Sequence, residues 1–248
     1  MSKVKGLLRH IFVKTNLNRL LGITTRDNPG STVITDQLTI EAFKNDPDNT
    51  FLISFPRTGS HWLRMLMELY FGRPSLVRVF YYPEQNDYIS LHTHDLELNT
   101  ESRSVIYLYR DPVDTIYSQL RYHKEDTDNS ERIVYWSDLY GRHLDKWLYL
   151  ERFTSLKTIV RYERLKSSPY DEFRKICEHF RKPFQKERFE SVVSRVSKKH
   201  VNEKTLHDPQ VINLSQKYAE ERKKFNEEKG MLVWRVLLNG REYLQENF

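Results

Sequence analysis

The chain has 248 residues, of which 38% are hydrophobic and 13% aromatic, enough for one large α/β domain or two small ones. Its 40 Lys and Arg residues against 34 Asp and Glu residues give a formal net charge of +6, which fits anionic ligands, nucleic acid or a membrane surface equally well. The single cysteine, Cys177, excludes an internal disulfide and a cysteine-based zinc cluster, and no stretch approaches the roughly 20 apolar residues that span a bilayer.

The N-terminal segment mixes basic and apolar side chains and resembles the start of a secretory signal peptide. No small-residue cleavage site follows, and three residues interrupt its apolar run: Arg9, His10 and Lys14. We therefore expect a helical extension within residues 1–30 that docks on the domain and ends in a loop at Asp27–Thr32. The alternative is a basic amphipathic helix, residues 1–22, on a membrane surface. We expect a cytoplasmic protein.

Short apolar runs, each followed by a helical pattern, alternate along the middle of the chain. The predicted strands are Phe51–Phe55, Val105–Tyr109 and Thr158–Tyr162, with a further candidate at Tyr88–His92. The helices that follow them begin near Ser60, span Pro112–His123 and open at Pro169, since proline suits the first helical turn. Because such strands are typical of parallel sheets covered on both faces, the sequence predicts an α/β fold with a central parallel sheet flanked by helices.

Two longer helical patterns complete the predicted architecture. Ile133–Phe153 predicts one long helix whose aromatic side faces the core, and Ser215–Phe248 predicts a second, interrupted near Gly230 and Gly240. No internal repeat, low-complexity tract or linker divides the chain, which indicates a single domain over residues 1–248.

A cradle for an anion is predicted where the first strand leads through a turn into a helix, in the segment Thr50–Gly72. Glycine allows the tight bend, and the helix aims its first N–H groups at an anion. The loop of nucleoside triphosphatases needs a second glycine and a Lys-Ser/Thr pair, whereas only Gly59 is present here. The cradle therefore suits a smaller or differently charged group than the tail of ATP.

Polar residues follow two further strands, and ligands of open α/β sheets bind at such strand ends. Arg110 follows the second run, with Ser118 eight positions later, and Tyr162-Glu163 follows the third. Each signal alone is weak, because strand-end arginines often cap a neighbouring helix and a lone tyrosine is often half-buried core. Together they suggest a site for an anionic nucleotide.

These ordered segments resemble the motifs of sulfotransferases that use 3′-phosphoadenosine 5′-phosphosulfate (PAPS). FPRTGSHW is similar to the family's Y-P-K-S-G-T-x-W loop, YRDPVDTIYS to its Arg-to-Ser motif, and Arg161-Tyr162-Glu163-Arg164 to its Tyr-Glu-Asp segment. The resemblance covers roughly residues 50–180 and implies the three-layer sulfotransferase fold, similar to that of P-loop nucleoside triphosphatases. It implies that Arg110 and Ser118 bind the 3′-phosphate, that Tyr162 contacts adenine, and that the 5′-phosphosulfate is held by Arg57, Thr58, Gly59, Ser60, His61 and Trp62.

The same resemblance implies the catalytic residues. Arg57 stands where the family commonly has lysine and would stabilise charge on the leaving phosphate oxygen, or only position the ligand. The segment His92-Thr93-His94 matches the family's Lys-Thr-His, which makes His94 the general base, and an ordinary histidine pKa of about 6.5 suits that role. His92 remains open as an alternative. In a segment similar to the family's cofactor lid, Lys204, with Lys198 and Lys199, is a candidate for cofactor binding or a solvated charge run.

The predicted activity is therefore sulfuryl transfer from PAPS to a hydroxyl or amine of a small molecule or carbohydrate, without a metal. Its partners would be PAPS, the product adenosine 3′,5′-bisphosphate (PAP) and an acceptor, without nucleic acid. One alternative is a nucleotide kinase or triphosphatase, which the absent Gly-Lys-Ser/Thr disfavours. The other is a non-catalytic basic module that binds nucleic acid or an anionic membrane.

Overall fold

The computed structural model describes residues 23–24, 31–205 and 215–248, and the helix predicted in residues 1–22 lies outside them. The strands are β1 (Ile23–Thr24), β2 (Thr32–Ile34), β3 (Thr50–Ser54), β4 (Ser75–Leu76), β5 (Arg78–Val79), β6 (Ser90–Thr93), β7 (Ser104–Tyr109) and β8 (Leu156–Arg161). The α-helices are α1 (Gln37–Asn45), α2 (Ser60–Phe71), α3 (Pro112–His123), α4 (Ser130–Leu144), α5 (Tyr162–Ser167), α6 (Pro169–His179), α7 (Lys186–Arg195), α8 (Lys198–Lys204) and α9 (Gln216–Leu238).

The main sheet has five parallel strands in the spatial order β4-β6-β3-β7-β8. The central strand, β3, is buried along its whole length and pairs with β6 on one side and β7 on the other. The four predicted strands are confirmed, with ends that differ by one or two residues. Because the strands are parallel, the segments that follow β3, β6, β7 and β8 emerge at one edge of the sheet.

Alternate residues of each strand enter two separate hydrophobic cores. Phe51 and Ile53 pack with residues of α1, α3, α4 and α9, whereas Leu52 packs with residues of α2, α6, α7 and α8. Tyr107 and Ile106 of β7 divide between the two cores in the same way. The side-chain period of two along a strand thus produces three layers, helix, sheet and helix, and confirms the predicted α/β class.

The prediction of one helix over Ile133–Phe153 is wrong. Helix α4 ends at Leu144, a π-helical turn spans Asp145–Tyr149, and a 3₁₀ turn spans Glu151–Phe153. In the π-helical turn two consecutive side chains, Lys146 and Trp147, both bond to the buried carboxylate of Asp95. These long-range bonds override the helical period that the local sequence predicts.

The predicted interruption at Gly230 is also wrong, because α9 continues through it. A glycine inside a helix costs only about 1 kcal/mol relative to alanine, which packing of α9 on α3 and α4 can exceed. The predicted break near Gly240 is confirmed: α9 ends at Leu238, Gly240 has φ 70°, and a 3₁₀ turn spans Glu242–Asn247.

A second, antiparallel sheet was not predicted; it contains β1, β2 and β5. Its strand Ile23–Thr24 lies within the predicted helical extension, so that extension does not continue through these two residues. Helix α1 was also missed, although Asp36 gives a readable N-cap signal: its carboxylate accepts a hydrogen bond from the Thr39 backbone N–H at 3.0 Å. Within the described ranges, no helix combines the length and apolar character needed to cross a bilayer.

Candidate active site

The loop between β3 and α2 turns sharply before the helix begins. Arg57 and Gly59 have positive φ angles of 72° and 97°, and α2 starts at the next residue, Ser60. Thr58 is buried, and its hydroxyl donates to the Phe55 carbonyl at 2.8 Å, which closes the turn. The first N–H groups of a helix have no intrahelical acceptor, so the start of α2 is suited to bind an anion.

Gly59 is required by space as well as by conformation. A Cβ at this position would lie 2.6 Å from Cε2 of Tyr162. Tyr162 begins α5 immediately after β8, and the ring of Trp62 meets its ring edge-on at 5.9 Å. The predicted loop and the predicted adenine-contacting tyrosine therefore lie against each other.

Arg110, directly after β7, is largely buried and connects several parts of this site. One terminal nitrogen, Nη1, donates to the Arg57 carbonyl at 3.1 Å, and the other, Nη2, donates to the Asp114 carboxylate at 2.9 Å. Its guanidinium carbon lies 4.9 Å from the centre of the Tyr162 ring. Its Nε is buried and has no hydrogen-bond partner among the described residues. A buried donor without a partner costs stability and indicates a place for an acceptor.

Ser118 joins α3 to the same loop. Its hydroxyl accepts a hydrogen bond from Arg57 Nε at 3.1 Å, and the Arg57 guanidinium lies 5.1 Å from the centre of the Tyr122 ring. Arg110 stands just before α3 and Ser118 lies within it, and both contact Arg57 of the loop. Three sequence segments that were predicted to form one site are thus in contact.

Two cations lie near Arg110: Lys198, which is a candidate from the sequence, and Arg222, which the prediction missed. Asp114 also accepts hydrogen bonds from Arg222 at 3.3 Å and Asn226 at 3.2 Å, both on α9. Burial lowers the pKa of Lys198, and the positive charges of Lys166, Arg222 and Arg110 lower it further. Asp114 could have been found from its i+4 spacing to Arg110, but nothing in the local sequence connects α9 with this site.

The two histidines of the predicted base segment both contact Ser54, the last residue of β3. His94 Nδ1 donates to the Ser54 carbonyl at 2.8 Å, because a carbonyl oxygen can only accept, and the neutral ring then keeps a lone pair on Nε2. His92 Nε2 lies 3.0 Å from the Ser54 hydroxyl, and the two rings meet edge-on at 4.7 Å. Burial lowers the pKa of His94 and lowers that of His92 further, to well below its ordinary value.

The remaining predicted residues lie around the other side of the loop. His61 Nε2 accepts from Arg78 Nη1 at 3.0 Å, and burial, reinforced by the charges of Arg64 and Arg78, lowers its pKa well below the ordinary value. Trp62 Nε1 donates to the Val196 carbonyl at 3.0 Å.

Lys204 contacts the same side of the loop. Its Nζ donates to the Phe80 carbonyl at 3.2 Å and lies 4.9 Å from the Tyr81 ring centre. The Phe80 ring in turn meets the His61 ring edge-on at 5.7 Å. Within the lid-like segment, Lys198 is the lysine whose charge interacts with Arg110, so a role of Lys204 in cofactor binding stays a prediction.

Comparisons with known proteins were made on sequence and on structure. A profile of the family described as Sulfotransferase domain matches residues 77–245, whereas a search of curated protein sequences finds no significant match. The structure is similar to mouse sulfotransferase SULT7A1, solved in complex with PAP: identity is 12%, the TM-score is 0.52, and the match covers 87% of this chain and 94% of that one. Retinol dehydratase, solved with androsterone and inactive cofactor PAP, matches at 11% identity and a TM-score of 0.46, over 80% of this chain and 86% of its own.

Proposed function

The chain belongs to the sulfotransferase domain family, and from this membership we propose that it transfers a sulfuryl group from PAPS to a hydroxyl or amine of an acceptor. In this proposal the acceptor is a small molecule or a carbohydrate. That a mouse sulfotransferase of similar fold was solved with PAP supports the choice of donor.

The observation that carries the proposal is the environment of Arg110. Its buried Nε lacks a partner among the described residues. Two cations lie close by: Arg222, which shares the Asp114 carboxylate with Arg110, and Lys198, whose charge interacts with that of Arg110. A phosphomonoester carries about −1.5 to −2 charge near neutral pH and offers three acceptor oxygens, so it fits a guanidinium in this position. We assign Arg110 and Ser118 to the 3′-phosphate and the Arg57–Trp62 loop to the 5′-phosphosulfate.

When bound, PAPS supplies the sulfuryl group and a phosphate leaving group. Arg57 stabilises negative charge at the leaving oxygen by electrostatics and hydrogen bonding, because a guanidinium does not give up a proton at neutral pH. His94 accepts the acceptor's proton at Nε2, the nitrogen that its hydrogen bond to Ser54 leaves unprotonated. That no metal takes part stays a prediction from the missing Lys-Ser/Thr pair.

Thermal denaturation with PAP, ADP and ATP-Mg²⁺ tests the donor site. We expect PAP to raise the melting temperature most, since ADP lacks the 3′-phosphate that Arg110 would bind. Arg110→Ala should weaken PAP binding by about tenfold to a hundredfold, because it removes charge-assisted hydrogen bonds worth about 1.5–3 kcal/mol.

Arg174→Ala is the matched control, since Arg174 is exposed and its contacts, with Asp171 and with the Phe184 ring, involve none of the residues assigned to the cofactor. It should leave PAP binding unchanged. Equal stabilisation by ADP and PAP, or hydrolysis of ATP-Mg²⁺, would instead support a nucleotide kinase or triphosphatase.

A further inference from the structure

We propose that a buried network behind His94, built on Asp95 and His143, is a positioning device that holds the His94 ring with Nε2 free to accept a proton. The inference rests on the proposed function only in calling His94 the base. Neither Asp95 nor His143 belongs to the cofactor motifs, and both are buried.

Asp95 anchors the backbone immediately after His94. Its side chain is fully buried, and its Oδ2 accepts hydrogen bonds from Lys146 Nζ and Trp147 Nε1, both at 2.9 Å. Its Oδ1 accepts from the Thr100 backbone N–H at 2.8 Å. Asp95 also has a positive φ of 43°, a left-handed conformation that aspartate adopts more readily than most residues other than glycine and that these hydrogen bonds hold in place.

The π-helical turn allows two consecutive side chains to reach one carboxylate oxygen. Adjacent side chains of a regular α-helix do not face each other, yet Lys146 and Trp147 both bond to Asp95 Oδ2. Single π-helical turns occur frequently at functional sites. The π-helical turn, which the sequence did not predict, therefore carries both side chains that bond to Asp95 Oδ2.

His143 holds the backbone of His94 itself. Its Nε2 donates to the His94 carbonyl at 2.9 Å, so in the neutral ring Nδ1 is the acceptor for the Tyr107 hydroxyl, also at 2.9 Å. Both side chains are completely buried. The His94 carbonyl, which can only accept, thus sets the tautomer of His143, and the Tyr107 hydroxyl supports that tautomer by donating to Nδ1.

Three elements therefore fix His94: β3 through the Ser54 carbonyl, α4 through His143, and the π-helical turn through Asp95. Replacing a buried ion pair with hydrophobic residues of similar volume is often neutral or stabilising. The Lys146–Asp95 pair therefore acts by orientation, since it fixes the backbone next to His94. Such orientation matters because a general base must lie within hydrogen-bond reach of the proton it accepts.

The test is the tautomer of His94, measured by nitrogen NMR on histidine-labelled protein without ligand, with His94→Gln to assign the signal. We expect the wild type to show one tautomer, protonated at Nδ1. Tyr107→Phe removes only a hydroxyl and keeps the ring, so the fold should persist, whereas Trp147→Phe removes the indole N–H and leaves a smaller ring at a fully buried position. In both we expect loss of the single-tautomer signal, with a large downfield shift of the Nδ1 resonance.

Tyr170→Phe is the control, because the Tyr170 hydroxyl is on the surface and contacts Glu190. In all three variants the affinity for PAP and the signals of the histidines outside this network should stay unchanged, whereas the His143 signal should shift in Tyr107→Phe, because that variant removes its hydrogen-bond partner. An unchanged His94 tautomer in both Tyr107→Phe and Trp147→Phe would overturn the proposal. So would a change that appears only together with shifts of histidine signals outside this network, such as those of His179 and His200, which would indicate general loosening. Failure of PAP to bind would count against the proposed donor and leave this result untouched.

Discussion

At the scale of single residues, Gly59 shows how conformation and space combine in one position. The sequence predicts glycine there for a tight turn, and the φ of 97° agrees. The contact with Tyr162, a residue 103 positions later in the numbering, could not be predicted, although it leaves no room for a Cβ. The close contact at Gly59 therefore links the loop between β3 and α2 to the residue that follows β8.

Replacing Gly59 with alanine should affect both stability and PAP binding. The left-handed conformation alone costs a side chain about 1–2 kcal/mol, and the Cβ clash at 2.6 Å forces Tyr162 to move as well. Denaturation by urea and calorimetric titration with PAP measure the two effects.

Gly240→Ala separates these two causes, because Gly240 has a φ of 70° and open space where the Cβ would be. Gly240→Ala should lose only the stability that corresponds to this conformational cost, and it should bind PAP as tightly as the wild type. Equal losses of stability and of PAP affinity in Gly59→Ala and Gly240→Ala would show that the contact with Tyr162 affects neither.

At the scale of elements, local signals determined where helices begin more reliably than where they end. Pro112 and Asp111 mark the start of α3, and the Asp111 carboxylate accepts from the Asp114 N–H at 2.9 Å, as the sequence suggests. The end of α4 depends instead on Asp95, which is 51 and 52 positions before Lys146 and Trp147. Such a bond leaves no signal in the local sequence.

Replacing either of two helical glycines at the interfaces of α9 with alanine should change the stability of the protein, in opposite directions for the two positions. A Cβ on Gly230 would meet Val113 at 3.8 Å, an ordinary contact, so Gly230→Ala should stabilise the protein by about 0.5–1 kcal/mol. A Cβ on Gly141 would lie 2.7 Å from the Leu237 carbonyl oxygen of α9. Gly141→Ala should therefore destabilise the protein, despite the same gain in helix propensity.

Urea midpoints of the two variants measure this difference. A destabilised Gly230→Ala would mean that α9 packs on α3 more closely than described here. A stabilised Gly141→Ala variant would mean that α4 and α9 pack less closely than the distance of 2.7 Å implies.

At the scale of the whole molecule, the two cores bury histidines that must stay neutral. Burial lowers the pKa of His143 to about 3 and that of His179 to about 4. His179 lies between β3, β7 and β8, where its ring contacts the hydroxyls of Thr50, Ser104 and Thr158. Folding therefore holds both histidines unprotonated well below their pKa in the unfolded chain.

Stability should consequently fall as the pH drops below about 6.5. There the unfolded chain binds protons that the native protein does not, so the free energy of unfolding decreases with decreasing pH. Each of the two histidines should contribute a loss of about 1.4 kcal/mol between about pH 7.5 and about pH 5.5. Urea denaturation at the two pH values measures it.

His179→Gln should reduce this pH dependence, and His200→Gln, a substitution at an exposed position, serves as its control. Equal stability of the wild type at the two pH values would contradict the argument.

The sequence alone predicts the parallel strands, the starts of the helices that follow them and the three segments that meet at one sheet edge. These features can be predicted because the hydrophobic period, proline and glycine determine structure locally. Only the packed layers bring Arg222 to Asp114, 108 positions away, and Lys146 to Asp95. Such pairs depend on how every layer between them packs, and no local pattern encodes them. The loop between β3 and α2 could therefore be predicted from the sequence, whereas the contact of Arg222 with Asp114 and the buried network behind His94 required the tertiary structure.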